Sequence, residues 1–239
     1  MPADVIEYKI IGDDLQAVEI ALDPNEGVRA EIGAMIYMSN GVSMDTNTGG
    51  GLINSLKRIV VGESLFVSSF YNSGHEKGYV AFAAPYPGKI IPIDLNLHGR
   101  VFYCQKDAYL CSARGVDIEI AFTKKFGAGL FGGEGFILEK LVGDGFVFVH
   151  AGGTIIEKIL VEGETLRVDT GCIIGFDDSV TYDIQFNAGI TNLLFGEEGL
   201  FFATLKGPGK VFLQSLPFSR LADRIFASSK LAKQLSSKK

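Results

Sequence analysis

The side chains able to do chemistry are few and widely spaced. There are three histidines, His75, His98 and His150. A metal centre built on imidazole or thiolate needs its ligands at short, repeated spacing. His75 follows a glycine and precedes Glu76, His98 precedes Gly99, and His150 ends an apolar run. No two of them share a ligand spacing, so structural or surface roles are expected. Cys104, Cys111 and Cys172 form no C-x-x-C pair and have no histidine close in sequence to activate a thiolate. An odd count of this kind fits buried thiols in a reducing compartment. The adjacent acids Asp13-Asp14, Asp177-Asp178 and Glu197-Glu198 point to opposite faces of an extended chain and are poorly placed to act together on one bond. The G-x-S-x-G signature of a serine nucleophile is absent.

Two patterns invite a ligand. Gly49-Gly50-Gly51-Leu52 leads to Lys57-Arg58, but the Gly-Lys-Ser/Thr order of a phosphate loop is missing. A flexible loop entering a basic turn is expected there, open to a partner because long insertions in compact domains are often functional. Glu63, Glu134 and Glu198 recur at one place in successive repeats. Three carboxylates in a ring would suit a cation; the reading preferred here is a glutamate satisfying turn amides in each copy. The sequence therefore nominates no catalytic, cofactor-binding or metal residue.

The elements that would hold these side chains are repeated. A shift of 64 residues superposes 99–148 on 163–212 without a gap and gives 14 identical positions, including Gly99/Gly163, Val116/Val180 and Phe148/Phe212, against roughly three expected from composition. A more diverged first copy matches Gly27 to Gly99 and Tyr37 to Tyr109 at a shift of 72, and Gly62–Phe66 to Gly133–Ile137 at 71. It carries extra residues around 46–59 and 71–80. Within the copies the apolar period is two: Val116, Ile118, Ile120 and Phe122 alternate with polar or small residues, and so do Tyr182, Ile184 and Phe186. Such strands bury one face. Phe146–Val149 and Leu200–Ala203 are apolar on both faces and belong inside. Turns fall at Gly132-Gly133, Gly143-Asp144-Gly145, Gly152-Gly153 and Gly207-Pro208-Gly209.

Three such units are too small to close separate cores. The expected architecture is all-β: one domain over 3–215, of three β-sandwich-like lobes (about 15–90, 91–154 and 155–215) sharing an interior about a pseudo-threefold axis. The segment 216–239 differs. Pro217 suits a first helical turn, and Leu216, Phe218, Leu221, Ile225 and Phe226 recur at helical spacing. A helix is expected over 217–234, docked on the β body through Leu221, Ile225 and Phe226. The alternative is peripheral contact with a membrane or partner through Arg220, Arg224, Lys230 and Lys233.

Charge narrows the partners. The chain carries a net −6, but from Leu216 on there are six basic residues and one acid, leaving a body with 16 basic and 27 acidic side chains. Such a body repels phosphate backbones, so nucleic acid is not an expected partner. No run reaches the roughly 18 to 20 apolar residues of a membrane span. Met1–Asp4 lacks the basic and apolar segments of a signal peptide. A cytoplasmic location is expected.

The run Gly50-Gly51-Leu52, Leu56-Lys57-Arg58 and Gly62-Glu63-Ser64-Leu65-Phe66, with the closing Gly207-Pro208-Gly209-Lys210-Val211-Phe212-Leu213-Gln214-Ser215, resembles the AIM24 family over nearly the whole chain. The resemblance implies a threefold-duplicated β fold of the double-stranded β-helix type, like that of the tryptophan RNA-binding attenuation protein, with no established enzymatic activity. Its eukaryotic members are associated with mitochondrial inner-membrane organisation, and no transit-peptide pattern accompanies the resemblance here. RNA binding is not inherited from fold analogy, given the acidic body. The function expected is a non-enzymatic binding or scaffold protein, self-associating or bound to a protein partner. Two alternatives stand beside it: a peripheral membrane-complex organiser acting through the helix, and a small-molecule binder or cryptic enzyme with a pocket between lobes.

Overall fold

In a computed structural model, residues 2–45, 67–124, 136–186 and 201–228 are described. The extra residues 46–59 with Lys57-Arg58, Glu63, Glu134, Glu197, Glu198 and the residues beyond 228 lie outside them. The described residues form antiparallel strands closed by one α-helix.

The alternation read from the sequence becomes strand burial. Strand β2 (Ala17–Leu22) seals Val18, Ile20 and Leu22 completely, with Ala17, Glu19 and Ala21 half-exposed between them. After β1 (Glu7–Ile11) and β2, unit 1 continues with β3 (Gly27–Glu31), β4 (Met35–Met38), β5 (Val42–Asp45), β6 (Val67–Asn72) and β7 (Gly78–Phe82). Unit 2 holds β8 (Lys89–Asp94), β9 (Val101–Gln105), β10 (Tyr109–Ala113), β11 (Asp117–Lys124), β12 (Phe136–Val142) and β13 (Phe146–Ala151). Unit 3 holds β14 (Ile155–Leu160), β15 (Thr165–Asp169), β16 (Ile173–Asp177), β17 (Thr181–Phe186), β18 (Phe201–Lys206) and β19 (Gly209–Gln214). Helix α1 (Phe218–Ser228) follows Pro217.

Each unit repeats one set of pairings. First strand pairs with sixth (β2 with β7, β8 with β13, β14 with β19) and third with sixth (β4 with β7, β10 with β13, β16 with β19). Second and fourth both pair with fifth. Even the irregularity recurs: the third strand slips register between Met35 and Tyr37, Tyr109 and Cys111, and Ile173 and Gly175. These slips align the first copy with the second at a shift of 74, not the 72 that Gly27 and Tyr37 indicated. The left-handed residue before the second strand is then Asn25 (φ 71°), Gly99 (φ 66°) and Gly163 (φ 79°). An asparagine tolerates that conformation, which hid the match behind the nearby Gly27.

Units are joined by sharing sheets. The second strand of one unit pairs with the third strand of the next, β3 with β10 and β9 with β16. The sheets therefore run β5-β6-β3-β10-β13-β8 and β11-β12-β9-β16-β19-β14, each half from one unit and half from the next. The chain ends of this series are β1-β2-β7-β4 and β15-β18-β17. A closed threefold arrangement needs a third seam between β4 and β15, and no ladder joins those strands. Within a unit the sheets face each other, as where the Phe70 and Phe82 rings meet edge to face at 5.2 Å.

At the second seam Gly175 is required sterically. A Cβ there would stand 2.4 Å from the Tyr103 carbonyl oxygen and 2.5 Å from the Phe102 ring. The first seam is tied by the amino-terminal arm. Asp4 accepts the Gly27 amide (2.8 Å) and pairs with Arg114 (3.0 Å), while the Ala3 amide donates to Asp144 (2.7 Å). Strand β13 is buried on both faces as its composition demanded. Strand β18 is not: Ala203 and Leu205 are buried, but Phe202 is half-exposed beneath the Arg167 guanidinium, 5.3 Å from its ring centre. The 71–80 region of the first copy is a longer turn between β6 and β7, not a new element.

Candidate functional site

The second strand of each unit ends on a polar residue at the same place: Glu31, Gln105 and Asp169. Each is followed by a tight turn or single 3-10 turn, 32–34, Lys106–Ala108 and Thr170–Cys172. These ends bound a cleft of about 550 Å³ with helix α1 as its roof. Glu31 comes from unit 1, Gln105 and Asp107 from unit 2, Gly171 and Gln214 from unit 3, and Ala222, Asp223 and Phe226 from the helix. Tyr86, from the connection between units 1 and 2, forms another wall.

The floor is fixed by amides. Buried Gln214 accepts the Gly152 N–H (2.9 Å) and donates to the Gly171 carbonyl (3.0 Å). Gln105 donates to Asp107 (3.1 Å). Tyr86 donates its hydroxyl to the Asp107 carbonyl (2.9 Å) and lies between the His150 ring (4.5 Å, edge to face) and Phe218 (5.1 Å). Burial, and then the charges of Asp107 and Glu31, push its phenol well up. The roof is pinned at its first turn, where Arg220 pairs with Asp169 at 2.7 Å. Asp169 also caps the turn below by accepting the Gly171 amide (3.0 Å). The expected docking through Leu221, Ile225 and Phe226 is thus displaced toward the start of the helix. Leu221 is half-buried, while Ile225 and Phe226 are 59% and 67% exposed.

The electrostatics of the cleft are unusual in one direction. The Glu31 carboxyl is raised to about 7 by its burial first, then by the Asp107 charge, against a weaker opposing pull from Lys106. Behind it, on β12, Glu139 is 2% exposed and raised to about 8 by burial and by Glu31. The equivalent positions in the other units are Ser68 and Ala203, set by the ladder partners Cys104, Ala30 and Val168. At this position one unit alone carries an acid. The Cys104 thiol lies 3.9 Å from its Oε2 and donates to it.

The residues singled out by sequence divide differently. His150 is buried with no partner for Nδ1, and burial lowers it to about 4. Its neighbour is the Tyr86 ring, which places it at the back of the cleft wall. His98 bonds Asp177 through Nδ1 (2.5 Å), and Asp177 also accepts the Lys210 amide (2.8 Å). Burial opposes ionisation of Asp177, but these two bonds hold it below the usual carboxylate range. His75 is exposed in a turn, and Asp14 meets Lys89 at 3.1 Å. Burial pushes all three thiols up, Cys104 and Cys111 furthest. Glu31, Tyr86 and Glu139 were missed by sequence reading. The one available signal was Glu139, an acid at the centre of the apolar run Phe136–Val142. Among the described residues no three His, Cys, Asp or Glu side chains stand together as a metal site, and no helix is long and apolar enough to cross a membrane.

Comparison with known proteins places the whole assembly in context. The family model described as "Mitochondrial biogenesis AIM24" matches residues 8–216. An uncharacterised protein of Streptococcus pyogenes serotype M6 is 27% identical over 213 residues, covering 86% of this chain and 83% of its own length. The crystal structure of protein SPYM3_0169 from Streptococcus pyogenes shares the fold, with a TM-score of 0.76 at 22% identity over 94% of this chain and 100% of that one.

Proposed function

The chain belongs to the AIM24 family, and from that premise we propose that it is a non-enzymatic binding protein whose ligand site is the cleft between the three units and helix α1. The observation that carries this reading is the cleft's composition. Carboxylates from two units and the helix (Glu31, Asp107 and Asp223) face a wall of Tyr86, Phe218 and Phe226. Ligand sites are typically such concavities, apolar with a few convergent polar groups. The preferred ligand has an apolar body and a cationic end, a primary amine or a guanidinium. A cation beside Glu31 offsets the burial and the Asp107 repulsion that keep this carboxyl protonated to about 7. The free thiols Cys104, Cys111 and Cys172 favour a reducing compartment for this activity, in keeping with a cytoplasmic location.

Aliphatic and arylalkyl primary amines, with the isosteric alcohols as controls, test the reading by isothermal titration calorimetry. The amines are expected to bind and the alcohols to bind at least tenfold more weakly. Amine affinity should rise with pH through about 7 and flatten above it, because binding expels the Glu31 proton. Glu31→Gln should abolish both the affinity and its pH dependence. Equal binding of amine and alcohol, or no heat from either, overturns the proposal.

A second reading has its own observation, the exposure of Ile225 and Phe226 toward the carboxyl end of α1. It makes that end a peripheral contact for a membrane. Arg220 is already engaged with Asp169, which leaves fewer cations for lipid. Flotation with anionic vesicles, with and without residues 217–239, decides it; flotation unchanged by the truncation removes the helix from consideration.

A further inference from the structure

We infer that copies of this chain join head to tail, β4 of one pairing with β15 of the next. Independently of what the cleft binds, the repeat itself carries this conclusion. In each internal seam the second strand of a unit hydrogen-bonds the third strand of the following unit. Among the described residues, two strands of these same classes have no partner strand on that side: the third strand of unit 1, β4, and the second strand of unit 3, β15.

Both retain what a seam needs. Strand β15, Thr165-Leu166-Arg167-Val168-Asp169, repeats the pattern of the paired β3, Gly27-Val28-Arg29-Ala30-Glu31, with apolar, Arg, apolar and acid in step. Strand β4 keeps the register slip of β10 and β16. Its sequence Met35-Ile36-Tyr37-Met38 has no charge or proline of the sort that guards free edges. Ile36, Tyr37 and Met38 are 53%, 45% and 39% exposed, whereas the seam residues Cys111, Ser112 and Ala113 of β10 are fully buried. The other sheet edges differ in kind. Strands β5, β11 and β17 are the outer fourth strands in all three units, with no paired counterpart among the described residues, and β8 and β14 are outer first strands whose counterpart β2 is covered by the amino-terminal β1 and by no strand of another unit.

The internal seams also set the register. Cys111 faces Ala30 and Gly175 faces Cys104, so Tyr37 of one copy faces Val168 of the next, Met38 faces Arg167, and Ser39 faces Leu166. The two edges are different surfaces, which makes the contact heterologous and the product a closed ring or a filament. The occupant is a second copy because each edge repeats the strand class and register of an edge that the internal seams join within the chain.

Cross-linking reads the register directly, since directly opposed residues bring Cβ atoms about 4.5–5.5 Å apart. Two differently tagged full-length chains, Tyr37→Cys and Val168→Cys, are mixed under mild oxidation. A disulfide-linked heterodimer is expected, absent from either chain alone and lost when position 37 is exchanged for Tyr79→Cys on the neighbouring strand. The double variant Tyr37→Cys/Val168→Cys should give a ladder of covalent oligomers. A double variant that bridges only within its own chain, or a mixture that stays unlinked, overturns the inference. Light scattering on unmodified protein should show mass rising with concentration and falling in Met38→Lys, with circular dichroism confirming that the variant is folded. A strict monomer at every concentration also overturns it.

Discussion

Glu139 illustrates how one side chain departs from a repeat that otherwise dictates its surroundings. Its counterparts are Ser68 and Ala203, yet it stands buried with a carboxyl that ionises at about 8 in the folded chain, against about 4.3 for an unperturbed glutamate. Between those values the folded protein holds a proton that the unfolded chain has released. Stability from this group is complete below the unfolded value and lost as pH rises to about 8. Glu31 acts in the same direction up to about 7. His150, lowered to about 4, has the opposite sign: its contribution grows as pH rises from about 4 toward the usual histidine range. In Glu139→Gln, unfolding by urea should show little change near about pH 5 and a gain on the order of a few kcal/mol near about pH 9. Parallel pH profiles for the two proteins would show that this carboxyl is not held protonated by burial. The sequence displayed the acid within an apolar run but not its isolation. Periodicity identifies which face is inside; it does not tell what lies opposite.

At the level of elements, strands were legible because alternation is local, and the helix because Pro217 and its apolar spacing are local too. What escaped was the manner of docking. The apolar stripe predicted burial of Leu221, Ile225 and Phe226, but the helix is held by Phe218 against Tyr86 and by Arg220 on Asp169. Both partners lie far away in sequence. Half-exposed ion pairs contribute about 0–1 kcal/mol, so Arg220→Ala should leave global stability nearly unchanged. Hydrogen exchange over 218–228 should nevertheless quicken, since the pair fixes the roof rather than the core. Unaltered exchange would mean that the Tyr86–Phe218 contact suffices. The cleft was invisible for the same reason as the docking: Glu31, Asp107 and Asp223 are 76 and 116 residues apart in succession, and only the ends of two units and the helix bring them together.

For the molecule as a whole, shared sheets make the units interdependent. The repeat in sequence implied three lobes, and the ladders show that every six-stranded sheet belongs to two of them. A fault in one seam should therefore be felt throughout. Gly175→Val drives a side chain into the Tyr103 carbonyl and the Phe102 ring, an overpacking that costs about 1–3 kcal/mol. A single cooperative transition shifted down by several degrees is expected in calorimetry; a separate early transition for unit 3 would contradict such coupling. The amino-terminal arm gives the other joint a different character. Because Ala3 and Asp4 clasp residues of both neighbouring units, any polypeptide fused ahead of them would exert its drag on the seam between lobes. Fusion reporters are consequently better carried at the opposite end, where they leave that clasp alone.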